Sequence, residues 1–203
     1  KQCLENSMIT INEITIVVDG REIIYDYSEQ IPAGSITVIV GPNGCGKSTL
    51  LAAIAGDIAP IKGTITIDEL HPILTSPAQL AQIRAVAIQN QSYTLGFTVK
   101  QIIEMAGPAE EVMRSLDLTS LADRVVTTLS GGEAQRVSIA AAIAQRTPVL
   151  LLDEPLAAQD VGSRKRIIEV LKKLAEAGVS VVVVAHSNES ELTWADKVIK
   201  QFL

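Results

Sequence analysis

Nine consecutive residues, Gly41-Pro42-Asn43-Gly44-Cys45-Gly46-Lys47-Ser48-Thr49, follow the pattern GxxxxGK[ST]. That order suits the binding of phosphate. Glycines let the backbone wrap closely around an anion, so that successive N–H groups point at its oxygens. A helix that begins at the end of the loop adds favourable partial charge. A lysine at position 47 can reach the outer phosphates of a nucleotide, and the Ser48 hydroxyl can ligate Mg2+. Cys45 occupies a variable position as a small residue that fits. The setting agrees, because an apolar run over 35–40 precedes the loop and helical spacing follows over 47–55. A plain glycine-rich turn explains the glycines but not the Lys47-Ser48 ending between a strand and a helix.

A second chemical pair is Asp153-Glu154, delivered by the apolar run Val149-Leu150-Leu151-Leu152. Ligands of open α/β sheets bind beyond the C-terminal ends of the strands, where such a run would place two acids. Asp153 is the expected Mg2+ holder, directly or through water. Glu154 is the expected general base, taking the proton of an attacking water. Strands often end in acids, so this pair gains its meaning from the phosphate loop upstream.

These groups need a sheet edge to hold them. Rough alternation over 9–18, the turn Asp19-Gly20 and a returning run over 22–27 predict a β-hairpin. Short apolar runs over 35–40, 149–152 and 179–185 predict buried strands, with further strands over 63–67 and 84–88 and a candidate last one over 198–203. Helices are predicted over 47–55, with Gly56 just past its end, and over 99–106, 109–116, 121–125, 131–145 and 160–177. The last is amphipathic, with Ile167, Ile168, Leu171 and Leu174 on one side. Strands alternating with helices predict an α/β core with a largely parallel sheet. The hairpin adds an antiparallel β subdomain, and about 98–146 a short helical subdomain. Residues 1–7 differ in character and read as a disordered start or an expression remnant, with Met8 as a candidate initiator.

Leu129-Ser130-Gly131-Gly132-Glu133-Ala134-Gln135-Arg136 resembles the LSGGQ signature of the ABC ATPases. A helix cap explains Ser130, but not the two glycines or their place between the loop and Asp153-Glu154. Other elements of that family follow in order. Gln89 resembles the glutamine that contacts Mg2+ and the attacking water, with Gln91 as the weaker choice. Asp160 resembles the aspartate of the D-loop, behind an unusual lead-in, Ala157-Ala158-Gln159. His186 resembles the switch histidine that contacts the γ-phosphate, whereas His71 reads as a loop residue. The resemblance runs from Ile9 onward and implies a P-loop NTPase (RecA-like) core that binds ATP with Mg2+. It also implies a head-to-tail pair of such domains, homodimeric or heterodimeric. Ser130, Gly131 and Gly132 would then act on nucleotide held by the partner's loop. Leu80-Ala81, Arg84-Ala85-Val86, Gln89 and Phe97-Thr98-Val99 look similar to importer ATPases for iron-siderophores, haem and cobalamin. Where the family stacks an aromatic ring on adenine, the register puts Val18, with Tyr25 and Tyr27 nearer the loop. The stretch between Gln89 and Leu129 is short for an importer, so the helical subdomain is expected to be trimmed.

The resemblance implies a transporter motor working with polytopic permease subunits on the cytoplasmic face of the cell membrane. The alternative is a soluble ABC ATPase acting on nucleic acid or the ribosome. Composition favours the first. The chain of 203 residues has 47% apolar and 20% charged residues and a formal net charge of −6, which argues against a broad nucleic-acid surface. Its apolar runs are too short to cross a bilayer, and no signal peptide is evident. Cys3 and Cys45 read as reduced thiols of a cytosolic protein. An unrelated P-loop kinase or GTPase is disfavoured by Leu129–Arg136 and His186.

Overall fold

The computed structural model describes residues 9–88, 96–186 and 191–200. The expectation for residues 1–7 lies outside them. Strand β1, Ile9–Val18, buries Ile9, Ile11, Ile14 and Ile16. The alternation slips by one between Ile11 and Ile14, and a register shift in the pairing absorbs the extra residue, with Glu13 at φ 48°. Asp19 (φ 51°) and Gly20 (φ 74°) turn the chain into β2, Arg21–Ile31. Two successive left-handed residues match the right-handed twist of a hairpin. Strand β4, Lys62–Ile67, pairs with the other side of β1, which gives an antiparallel sheet of order β2-β1-β4.

The second sheet has five parallel strands in the order β5-β6-β7-β3-β8. They are β3 (Ile36–Val40), β5 (Arg84–Ala87), β6 (Val149–Asp153), β7 (Ser180–Ala185) and β8 (Lys197–Lys200). Every residue of β3 and β7 is buried, because both faces of the sheet are covered, and so these strands read as largely apolar runs, with Thr37 and Ser180 as their polar members. On one face, Ile39, Leu151, Val182 and Val184 share a core with α1 (Lys47–Ala55) and the antiparallel sheet. On the other, Val38, Leu150, Leu152 and Val183 pack against α3 (Val99–Ala106), α5 (Gly131–Ala144) and α6 (Val161–Glu176).

Two helical elements differ from the sequence reading. Residues 121–125 are not an α-helix. Thr119–Leu121 and Val126–Thr128 are single 3-10 turns, and between them the chain pairs with the start of α3: Val99 N–H donates to the Arg124 carbonyl and Val126 N–H to the Phe97 carbonyl. Tertiary hydrogen bonding overrides the local spacing there. Conversely, α2 (Pro77–Ile83) is an unpredicted helix, although Ser76 at the N-cap, with its oxygen accepting from Gln79 N–H, and Pro77 behind it are ordinary start signals. Between α3 and α5, Glu110–Ser115 forms the short α4.

Candidate active site

Three neighbouring strands, β6-β7-β3, carry Asp153-Glu154, His186 and the 41–46 loop at their C-terminal ends, so these groups meet along one edge of the parallel sheet. From β3 the chain enters the 41–46 loop. Gly46 sits at φ 99°, and a Cβ there would lie 2.8 Å from Cγ2 of Ile23 on β2. Glycine is therefore demanded twice, by backbone conformation and by space. Gly46 precedes α1 with no side-chain cap. N–H groups of a first helical turn have no partner within the helix, so this turn is available to an anion.

Lys47 is only 5% exposed. Its ammonium donates to the carbonyls of Gly41 (2.9 Å) and Pro42 (2.8 Å), which ties the side chain back across its own loop. Beside it, Ser48 Oγ donates to Asp153 Oδ1 at 3.2 Å. Burial raises the Asp153 carboxyl above the usual carboxylate range, the Ser48 hydrogen bond works against that rise, and the adjacent Glu154 charge adds to it.

Glu154 follows β6 at φ 50°, with its N–H donating to the Val184 carbonyl at 3.0 Å. A left-handed conformation costs a non-glycine residue about 1 kcal/mol. It turns the carboxylate toward His186, which directly follows β7, and His186 Nε2 meets Glu154 Oε1 at 2.5 Å. An ionised carboxylate only accepts, so the imidazole proton is assigned to Nε2. Glu154 and His186 border a cavity of about 640 Å³, together with Ile23 and loop residues that include Lys47 and Ser48. A mostly apolar cavity of about 500 Å³ between α4, α5 and α6 contains none of the motif residues.

The other predicted site residues lie elsewhere. Ser130, Gly131 and Gly132 start α5 and do not line the Lys47 cavity of their own chain. Ser130 forms a capping box: its N–H and Oγ each donate to Glu133 Oε2 at 2.8 Å, and its Oγ accepts from Glu133 N–H at 3.3 Å. Those hydrogen bonds hold the Glu133 carboxyl below the usual range, with Arg124 adding in the same direction. The sequence reading found the Ser130 cap but missed its Glu133 half, although Ser-x-x-Glu before a helix is a legible signal. Asp160 caps α6, accepting from Ser163 N–H (2.9 Å) and Ser163 Oγ (2.7 Å), and is held below the usual range chiefly by the first. It too does not line the cavity. Gln89 and Gln91 lie outside the described residues. Val18 packs against the core beneath the hairpin. Tyr25, 67% exposed, stands instead with Glu22 and Ile23 beside Gly44 and Cys45. Ile23, at the closest approach of β2 to the loop, went unnoticed in the sequence because its role depends on inter-strand packing.

A parallel sheet that presents an anion-ready loop opposite a poised carboxylate is the architecture of a P-loop nucleotide-hydrolysing domain. Residues 24–157 match the family described as "ABC transporter". The chain belongs to that family, as an ATP-binding subunit with ATPase activity. It is similar to the "Hemin import ATP-binding protein HmuV" of Rhodococcus jostii (strain RHA1), at 38% identity over 92% of this chain and 68% of the relative. The "Cobalamin import ATP-binding protein BtuD" of Halobacterium salinarum is 36% identical over 94% of this chain and 52% of the relative. Among solved structures, an inward-facing ABC transporter assigned to the metal-chelate type aligns with TM-score 0.78 at 27% identity, over 95% of this chain and 78% of that one. The ATP binding subunit of another ABC transporter has TM-score 0.87 at 17% identity, over 96% and 85%, a likeness of fold alone.

Proposed function

We propose that the chain is the motor of a metal-chelate importer, in which two ATPase domains enclose ATP head to tail. One observation carries the shared site. Ser130, Gly131 and Gly132 line no part of their own chain's Lys47 cavity, while the position where a Gly131 Cβ would stand is open. An anion-suited helix start apart from the local phosphate site fits a nucleotide held by a second copy. In this reading the 41–49 loop takes the phosphates, Lys47 balances their charge, and Glu154 accepts the proton of the attacking water. The His186 contact holds the Glu154 carboxylate in place, and Gln89 assists at the water.

The donor set beside Lys47 suits Mg2+. Ser48 Oγ and Asp153 Oδ1 are hard oxygen donors 3.2 Å apart. Among the described residues no group of three or more His, Cys, Asp or Glu gathers to hold a metal ion. One hydroxyl and one carboxylate fit an ion that keeps water and phosphate oxygens as its other ligands. When bound, Mg2+ supplies neutralisation of phosphate charge.

The names of the relatives support hemin or cobalamin as the kind of cargo, an organic macrocycle holding a metal. Among the described residues no helix is long and apolar enough to cross a membrane. The relatives' import role supports assigning the cargo path to polytopic permease subunits, with this chain on their cytoplasmic face. The test is purification of the tagged chain from detergent-solubilised membranes, then ATPase assay in proteoliposomes. A polytopic partner and turnover stimulated by hemin or cobalamin are expected. Salt-sensitive co-purification with nucleic acid and no membrane partner would move the chain to the soluble ABC ATPases.

A further inference from the structure

The lead-in Ala157-Ala158-Gln159 is unexplained by the roles above, and Gln159 is a polar side chain only 6% exposed. Its amide joins two parts of the site. Nε2 donates to the Gly132 carbonyl at 3.0 Å, and Oε1 accepts from Arg136 Nη1 at 3.1 Å. A carbonyl only accepts and a guanidinium only donates, so these partners fix which way the amide faces. The same Arg136 nitrogen donates to Ser163 Oγ at 3.2 Å, and that hydroxyl donates to Asp160 Oδ2. The start of α5 is thus tied through one buried amide and one guanidinium to the segment between Glu154 and α6.

Packing enforces the same contact. A Cβ on Gly132 would lie 2.8 Å from the Ala158 carbonyl oxygen, so the two backbones touch where only glycine fits. Ala158 itself adopts φ 54°, which bends the segment into that contact. Glu154 is five positions before Gln159, on the same connection from β6. A shift of the carboxylate end of this segment would therefore reach the glycines of α5 through Gln159.

We propose that Gln159 is a positioning residue for ATP hydrolysis: it locks the Ser130–Gly132 helix start to the segment after Glu154, so that one chain's own site sets how it presents that helix start to its partner's nucleotide. The proposal rests on the shared-site reading above. A leucine has nearly the shape of glutamine but makes neither hydrogen bond, so Gln159→Leu keeps the packing and removes the lock.

Three quantities are measured on the full chain: nucleotide Kd by fluorescence, kcat by phosphate release, and the ATP-driven dimer by light scattering in a Glu154→Gln background. In Gln159→Leu, Kd stays at the wild-type value, because the Lys47 loop is untouched, while the urea midpoint falls only by what two lost buried hydrogen bonds cost. The ATP-driven dimer weakens, and kcat falls about 10- to 100-fold, the range that a small misplacement of a reacting group costs. A general loss of structure would instead move Kd and the urea midpoint together. Should Gln159→Leu fail to fold, Gln159→Glu keeps the acceptor for Arg136 and loses the donor to Gly132, and the same split is expected of it. Wild-type kcat and dimer strength in the folded variant overturn the lock while leaving the shared site intact. If Glu154→Gln alone binds ATP and never dimerises, the shared site fails and this proposal falls with it.

Discussion

Replacing Glu154 by glutamine separates nucleotide binding from chemistry. The amide is nearly isosteric, and its oxygen can still accept from His186 Nε2, which lies 2.5 Å from Oε1 in the parent. The side chain is 15% exposed and the backbone already sits at φ 50°, a conformation glutamine meets at about the same cost as glutamate. The fold is therefore expected to change by less than about 1 kcal/mol. Lys47, Ser48 and Asp153 are untouched, so nucleotide affinity should hold. The lost property is basicity, since a neutral amide cannot take a proton from water. A positioned base is worth about 10²–10⁴ in rate, which corresponds to about 3–5 kcal/mol of transition-state stabilisation. The assay is phosphate release at saturating Mg·ATP beside an equilibrium titration with a fluorescent nucleotide. A kcat within about threefold of wild type, against the hundredfold or greater loss expected for a missing base, would refute Glu154 as the base.

Lys47→Ala removes an ammonium with two hydrogen bonds in a buried setting. Charge-assisted contacts of this kind are worth about 1.5–3 kcal/mol, so nucleotide Kd should rise about 10- to 150-fold; an unchanged Kd would place the phosphates elsewhere. Tyr25→Ala should weaken ATP about 2- to 10-fold if the exposed ring contacts the base. Unchanged binding there, with tightening in Val18→Tyr, would return the adenine contact to the end of β1. Glu133 supplies the pH dependence. Its folded pKa lies below its unfolded one, so the unfolded chain binds more protons on the acid side. Its stabilising contribution is complete above the unfolded carboxylate value and is lost as pH falls through the folded one. Urea midpoints from neutral to acid pH should therefore fall more steeply in wild type than in Glu133→Gln, and parallel curves would remove this cap as a source.

The parallel core was legible because β3, β6 and β7 are buried on both faces and so appear as largely apolar runs between glycine-rich or acidic ends. Boundaries of α1 and α3 agreed to the residue, since Gly56 and Thr98 are strong stop and start signals. Long-range pairing was not legible. The 121–125 stretch has helical spacing, but Arg124 and Phe97 carbonyls are needed by α3 and its neighbour, and no local signal records that. Within the site, Lys47, Ser48, Asp153, Glu154 and His186 converge as their strand ends imply. The sequence could not show that Val18 packs into the core while Tyr25 stands beside the loop, because that depends on how the bulged β1 and β2 pair. Nor could it show the Gln159 bridge, which joins residues 27 positions apart through an amide that looks out of place in the motif.

The central claim is that ATP is enclosed between two copies, and the mass of the Glu154→Gln chain in solution tests it most directly. Size-exclusion light scattering should give the monomer mass, 21.6 kDa, without nucleotide or with ADP, and twice that mass with saturating Mg·ATP. Adding Lys47→Ala should abolish the change. A chain that binds ATP tightly, fails to hydrolyse it and still runs at 21.6 kDa would contradict the account.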